Sequence, residues 1–170
     1  YGGAEANVAV SLAVLKDPVS FVTKLPENPV GTAALNEVRR YGADTSKVVI
    51  GGSRLGIYFF EKGTDIRPTN VVYDREGSAL ALAKPEEFHW DEILKDTDIF
   101  YFSGVTPAVS ENIAKAVLEA LKYCKAHGIE TVCDLNYRSK MWDTKKAQSV
   151  MSELMNYVTL CIANDEDFES

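Results

Sequence analysis

The sequence predicts an α/β fold built on a parallel sheet and carrying a small β ribbon. Three observations predict it. Residues 99–163 run strand, helix, strand, helix, strand, at lengths that right-handed βαβ crossovers connect. Residues 4–41 hold two helical patterns separated by a short apolar strand. Residues 54–78, RLGIYFFEKGTDIRPTNVVYDREGS, contain two alternating runs and no helical period.

Gly2 and Gly3 open the first helix, 4–15, which is apolar nearly all round (Val8, Val10, Leu12, Val14, Leu15) and is expected to be buried. Asn7 and Ser11 are its conspicuous polar residues, one turn apart. A Gly-Gly turn feeding such a helix lets backbone N–H groups approach a ligand, or is simply a tight turn beside a satisfied Asn. Residues 19–24 read as a short buried strand. Asn28 caps the second helix, Pro29 takes its first position, and Gly42 ends it near Tyr41. A strand at Val48–Ile50 leads into the ribbon. There the 54–61 run puts Arg54, Gly56, Tyr58 and Phe60 on one face and Leu55, Ile57 and Phe59 on the other. The 71–75 run groups Val71, Tyr73 and Arg75, and Lys62 to Asn70 has the Gly, Asp, Pro and Asn of a surface loop. One ribbon face therefore offers two tyrosines and an arginine to a polar, anionic ligand. The alternative is an ordinary hairpin whose aromatics pack on a core.

Residues 78–83 form a turn or connector, and Trp90–Leu94 a short helix. Ile99–Phe102 is a strand. Ser110 caps a helix whose apolar set, Ile113, Val117, Ala120, Leu121 and Cys124, follows helical spacing until Gly128 stops it. Glu130–Leu135 is a strand, 144–156 a helix, and Thr159–Ala163 the last strand. The chain begins at Tyr1 and stops at Ser170, six residues past Asn164, where that strand run ends. An α/β domain seldom stops there, so a fragment is expected, truncated at both ends.

The totals exclude several classes. The 170 residues suit one domain, and an apolar share of 46% suffices for a core. Lys plus Arg 18 against Asp plus Glu 25 gives −7, with no basic run to neutralise nucleic-acid phosphates. An anionic small ligand needs only local positive charge and stays open. Cys124, Cys133 and Cys161 lie in apolar surroundings without CxxC spacing, and His89 and His127 are far away. They read as buried thiols in a reducing, cytoplasmic compartment, not as a disulfide frame or zinc site. No apolar run is long enough for a membrane helix.

Ligands of open parallel sheets bind beyond the carboxyl ends of the strands. Three successive ends here carry Ser103-Gly104, then Asp134, Asn136 and Arg138, then Asn164, Asp165, Glu166 and Asp167. Arg138 can hold a carboxylate or phosphate in bidentate fashion, or make a surface salt bridge. Asn164 and its acidic neighbours can orient water round Mg²⁺, or form a solvated acidic run. No P-loop, GxGxxG or GxSxG is present.

These segments, in this order, resemble the PfkB (ribokinase-like) carbohydrate kinases. GGAEANVAVSLAVL resembles the family's first signature, and LPENPVGTAALNEVRRYGADTS its second segment. RLGIYFFEKG, RPTNVVYDREGSA and DLNYRSKMW resemble the 2-keto-3-deoxygluconate kinase branch, and IANDED resembles the family's Asn-x-x-Glu stretch. The resemblance implies a three-layer ribokinase-like sheet with a β lid. It divides the chain into a first core segment, 1–45, a lid, 46–77, and a second core segment, 78–170. It implies transfer of a phosphoryl group from ATP, with Mg²⁺, to a sugar hydroxyl, and a dimer through the lid. Gly2, Gly3 and Asn7 would hold the sugar, with Tyr58, Tyr73 and Arg75 reaching down from the lid. Arg138 would lie between the sugar acid and the moving phosphate, stabilising transition-state charge. Asn164, Glu166 and Asp167 would serve the phosphate and Mg²⁺ without a direct metal ligand among them. Two arginines suit an acidic sugar better than fructose. The position three after Asn164 is Asp167 where the family has Glu. The family's Gly-Ala-Gly-Asp, which supplies the catalytic base, is absent from these residues. The expectation is the sugar-binding and lid half of a ketodeoxygluconate kinase, inactive alone. The alternatives are a kinase for another sugar such as fructose, or a non-catalytic sugar-acid-binding or dimerisation module.

Overall fold

A computed structural model describes residues 2–165 and 167. Helix α1, Ala4–Leu15, begins after Gly3, whose φ of 138° lies in the region that favours glycine. It ends where Lys16, at φ 73°, turns left-handed and its N–H reaches Ala13 O. Only Ala6, Ala9, Val10 and Ala13 are buried. The expectation of an all-round buried helix is therefore corrected: Val14 and Leu15 are exposed, and Val8 and Leu12 face a cleft. Among the described residues the packed face consists of three alanines and Val10, and the other apolar side chains of the helix lie off it.

The strand expected at 19–24 shortens to β1, Lys24–Leu25, paired in parallel with β2, Val49–Ile50. Upstream there is one bridge, Ser20 to Asp44. The ladder breaks because residues 44–48 leave as a turn, with Ser46 N donating to Asp44 Oδ1 (2.8 Å) and Val48 N to Thr45 O (3.2 Å). Between them lies α2, Pro29–Arg39, capped by Asn28, whose Oδ1 accepts from Gly31 N at 2.9 Å.

The ribbon is an antiparallel pair, β3 (Ile57–Glu61) and β4 (Asn70–Asp74), with Tyr58 opposite Tyr73 and Phe60 opposite Val71. Residues 54–56, expected as strand, stand outside it. Arg54 instead bonds the carbonyls of Asp74 and Glu76 and pairs with the Asp74 carboxylate, closing the ribbon's base. Within the 46–77 span, β2 pairs with β1 and not with the ribbon. The ribbon aromatics do not pack on a core, since Phe59 and Phe60 are 60% and 61% exposed.

A turn over 78–83 and a short 3-10 helix, Pro85–Glu87, lead to α3, Trp90–Ile93. The second half follows the expected order. It comprises β5 (Ile99–Ser103), α4 (Glu111–His127), β6 (Glu130–Asp134), α5 (Thr144–Met155) and β7 (Leu160–Ile162). Its three strands are parallel, in the order β5-β6-β7, with Ser103 opposite Asp134 and Asp134 opposite Ile162. Among the described residues the parallel strands thus form two sheets, not one. The main core buries Phe102, Ile113, Val117, Leu121, Cys133 and Leu154 between sheet and helices. Each such side chain contributes about 1.5–3 kcal/mol of transfer free energy. The buried Lys24 ammonium pairs with Glu87, joining β1 to the 3-10 turn. Cys124 and Cys133 are buried, and burial pushes their thiols up to about 11 and 12. Cys161, on β7, is exposed among the described residues, against expectation. No helix among the described residues is long and apolar enough to cross a membrane.

Candidate active site

The carboxyl ends of β5 and β6 meet the start of α1 and the underside of the ribbon. Between them opens a cleft of about 1840 Å³ that runs back to Val22 and Phe100. Its mouth collects Gly2, Gly3 and Asn7 from α1, Tyr58, Tyr73 and Arg75 from the ribbon, and Asp134, Asn136 and Arg138 from the β6 end. All the residues expected to hold a sugar therefore border one opening.

The ribbon groups support one another. The Tyr58 and Tyr73 rings lie 6.4 Å apart, tilted by 57°. The Arg75 guanidinium stacks over Tyr73, 4.4 Å from its centroid, which limits the rotamers of that long side chain. Gly2 lies directly below Tyr58.

Two residues that sequence reasoning missed organise the opposite wall. Glu5, in the first turn of α1, uses Oε1 as a hub. It accepts from Ser103 N (2.9 Å), Ser103 Oγ (2.8 Å) and Thr106 Oγ1 (2.5 Å). This carboxylate fastens α1 to the end of β5, and so sets where Gly3 and Asn7 stand. A lone acid inside an apolar helix beside Gly-Gly was the available signal. Tyr101 lies beside the Asp134 carboxyl. Burial, then Asp134 and Glu5, push the Tyr101 hydroxyl up to about 12. Burial and repulsion from Asp167 and Glu5 raise Asp134 above the ordinary carboxylate range, opposed by Arg138. Asn136 adopts φ 40°, a conformation rare for a non-glycine residue, in the loop that delivers Arg138.

Asn164 and Asp167 stand apart from this mouth. They form a reciprocal cap: Asp167 N donates to Asn164 Oδ1 (2.9 Å) and Asn164 N to Asp167 Oδ2 (3.1 Å). They join the cleft through the N–H of Tyr137, which donates to Asp167 Oδ1 at 2.8 Å. Glu166 lies outside the described residues. Among the described residues no group of three acids, histidines or cysteines gathers as a metal cage.

A parallel α/β framework with polar groups at its strand carboxyl ends, roofed by a two-stranded ribbon, is an architecture that binds small molecules. The chain belongs to the pfkB family of carbohydrate kinases, whose model matches residues 1–170. It is 37% identical over 168 residues to the 2-dehydro-3-deoxygalactonokinase of Haloferax volcanii, covering 99% of this chain and 52% of that protein. It is 31% identical over 156 residues to the 5-dehydro-2-deoxygluconokinase of Shouchella clausii, covering 91% and 47%. The crystal structure of 2-dehydro-3-deoxygluconokinase from Thermotoga maritima superposes with a TM-score of 0.97 at 47% identity, covering 99% of this chain and 52% of that one. The fold is thus ribokinase-like, and the chain spans about half the length of these relatives.

Proposed function

We propose that the intact protein is an ATP-dependent kinase that converts 2-keto-3-deoxygluconate to its 6-phosphate. One observation carries the acidic substrate: Arg75 and Arg138, from separate elements, line one cleft, and Arg75 meets Met141, in the turn that Arg138 begins, at 3.6 Å. A neutral sugar gives two guanidinium groups nothing to neutralise, whereas a carboxylate forms charge-assisted bonds about twice as strong as neutral ones. The relatives' names, each a kinase for a dehydro-deoxy sugar acid, support the same class. They differ in the acid itself, so the gluconate configuration is the finer element of the proposal.

In this reading the Gly2-Gly3 turn and Asn7 bind sugar hydroxyls. Tyr58, Tyr73 and Arg75 close over the acid as a lid. Arg138 offsets the charge that develops on the transferred phosphoryl group, the main task of protein groups in such a reaction. ATP supplies the phosphoryl group, and Mg²⁺ reduces its negative charge. Both carboxylate oxygens of Asp167 already accept backbone N–H groups, and Asn164 Oδ1 accepts another. This donor set suits a contact to hydrated Mg²⁺ through water, with Asn164, Glu166 and Asp167 in the outer shell. The sequence lacks Gly-Ala-Gly-Asp, so these 170 residues alone should bind the acid weakly, if at all, and should not turn it over.

The protein works in the cytoplasm as a dimer joined through the ribbon. Support for the dimer comes from Ile57, Phe59 and Val72, exposed together on one ribbon face. A coupled kinase assay of the intact protein with 2-keto-3-deoxygluconate, its galacto epimer and fructose tests the substrate. The expected order of kcat/KM places the gluco acid first and fructose last. Faster turnover of fructose sinks the acidic reading, and no turnover of any of the three leaves a binding module.

A further inference from the structure

The loop that carries Arg138 is held from two sides. It leaves β6 at Asp134 and enters α5 at Thr144. On one side Tyr137 N donates to Asp167 Oδ1, which ties the loop to the turn after β7. Within the loop, Met141 N donates to Arg138 O (2.9 Å) and the Tyr137 hydroxyl to Trp142 O (3.3 Å). These bonds make 138–141 one tight turn, so that a force on residue 140 moves residue 138. On the other side are two contacts to the ribbon. Lys140 Nζ donates to Val71 O at 3.1 Å, and Arg75 Nη1 meets Met141 Sδ at 3.6 Å.

The Lys140 bond is the stronger of the two, since its donor is an ammonium and its acceptor a carbonyl; a thioether accepts weakly. Both strands of a two-stranded ribbon are edges, and Lys140 reaches the backbone of one of them, on a residue that lines the cleft. Its grip does not depend on the side chain at 71. The ribbon therefore has an attachment to the Arg138 loop that is independent of Arg75.

We propose that Lys140 is a positioning residue that latches the ribbon to the Arg138 loop, so that Arg138 takes its working place only when the ribbon is down over the substrate. This rests on the sugar-acid kinase reading for its consequence, but not for the latch itself. The latch explains why the groups of the ribbon and of the β6 end act on one molecule. Lowering Tyr58, Tyr73 and Arg75 carries Lys140, and through the 138–141 turn Arg138, with them. Two cations, Arg138 and Lys140, belong to this loop, and a third, Arg75, touches it at Met141. Their mutual repulsion falls when an anionic substrate enters, so binding the acid favours the latched arrangement.

The test uses the intact enzyme with Lys140→Met, which keeps the aliphatic stem and removes the donor, and Lys140→Arg, which keeps a cation. Amide hydrogen exchange reads the latch without catalysis. In Lys140→Met, exchange at 70–74 and at 137–142 should quicken together by about tenfold, and Lys140→Arg should restore most of it. Unchanged exchange in both segments overturns the latch. Steady-state kinetics with 2-keto-3-deoxygluconate reads the consequence. Lys140→Met should raise KM for the acid and lower kcat, cutting kcat/KM about tenfold, with KM for ATP unchanged. In an Arg138→Ala background the same substitution should cost less than about twofold, because Lys140 acts through Arg138. Equal losses in both backgrounds overturn the positioning role. A wild-type enzyme inert towards every sugar acid overturns the kinase reading instead, and the exchange result still decides the latch.

Discussion

The Tyr58 hydroxyl occupies the space above Gly2. A Cβ built on Gly2 would lie 2.2 Å from that oxygen and 2.7 and 2.8 Å from two ring carbons. The ribbon therefore rests on the Gly-Gly turn through a contact that admits a larger residue only if Tyr58 moves. Gly2→Ala should lift Tyr58 without unfolding anything, since the clashing group is the outer end of a half-exposed side chain. The expected result is a rise in KM for the sugar acid of about tenfold, with KM for ATP unchanged. The melting temperature should fall by less than about 2 °C. In a Tyr58→Ala background the glycine substitution should add less than about threefold, because the clash is gone. Fully additive effects would mean that the contact does not matter to binding.

Arg75 and Arg138 should separate in kinetics although they border one opening. Arg75 is stacked on Tyr73 and belongs to the ribbon, which the proposed function makes the sugar-acid side of the cleft. Arg75→Ala should raise KM for the acid about tenfold or more and leave KM for ATP almost unchanged. Arg138 sits on the loop tied to Asp167, which the proposed function assigns to the phosphate end. Arg138→Ala should lower kcat as well, by about 100-fold, since a group beside the moving phosphate matters most in the transition state. An unchanged kcat would remove Arg138 from the chemistry.

The ribbon's other face should carry the dimer. Phe59 stands opposite Val72, and they are 60% and 52% exposed. Phe59→Glu places a charge where a second copy would have to bury it, at a cost of several kcal/mol. Sedimentation should show the wild type as a dimer and the variant as a monomer. A variant that still sediments as a dimer would move the interface elsewhere.

Much of this was legible because local rules and the fold agree. The caps at Asn28 and Ser110, the stop at Gly128 and the alternation of β3 and β4 need only neighbours in sequence. The strand-end positions of Asp134 and Arg138 followed from the βαβ rhythm. The misreadings have a common cause, which is that sequence patterns do not say what lies opposite. Residues 19–23 have strand composition, but their partner turns away at Asp44. Helix α1 has apolar residues all round, but packing reaches only its alanines and Val10. Arg54 has the period of a strand residue, but its charge found Asp74 and two carbonyls. Tyr101 and Lys140 were invisible for the same reason, since each acts on a partner distant in sequence, and Glu5 left only the trace of a lone acid in an apolar helix. Asn164 and Asp167 were foreseen as ligand groups, yet their reciprocal cap shows a local role that their spacing also encodes.

The Lys24–Glu87 pair gives a prediction in which pH fixes the sign. Lys24 is 9% exposed and Glu87 34%, so the cation is the trapped partner. The Lys24 hydrogen bond, followed by the Lys84 backbone N–H, holds the Glu87 carboxyl below its ordinary value of 4.5. A depressed carboxyl contributes stability that is present above the unfolded value and is lost as pH falls through the folded one. Glu87→Gln leaves a buried ammonium facing a neutral amide. At pH 7 this should cost about 2 kcal/mol, less than the ~3–5 kcal/mol of a fully buried pair because Glu87 keeps some solvent. Thermal melts of the intact protein should show a drop of about 3 °C at pH 7 that shrinks steadily below about pH 4.5. Lys24→Met should cost less at pH 7, because the abandoned carboxylate can turn to water whereas the abandoned ammonium cannot. A larger loss for Lys24→Met, or a Glu87→Gln effect that does not change with pH, would show that packing at this joint outweighs its charge.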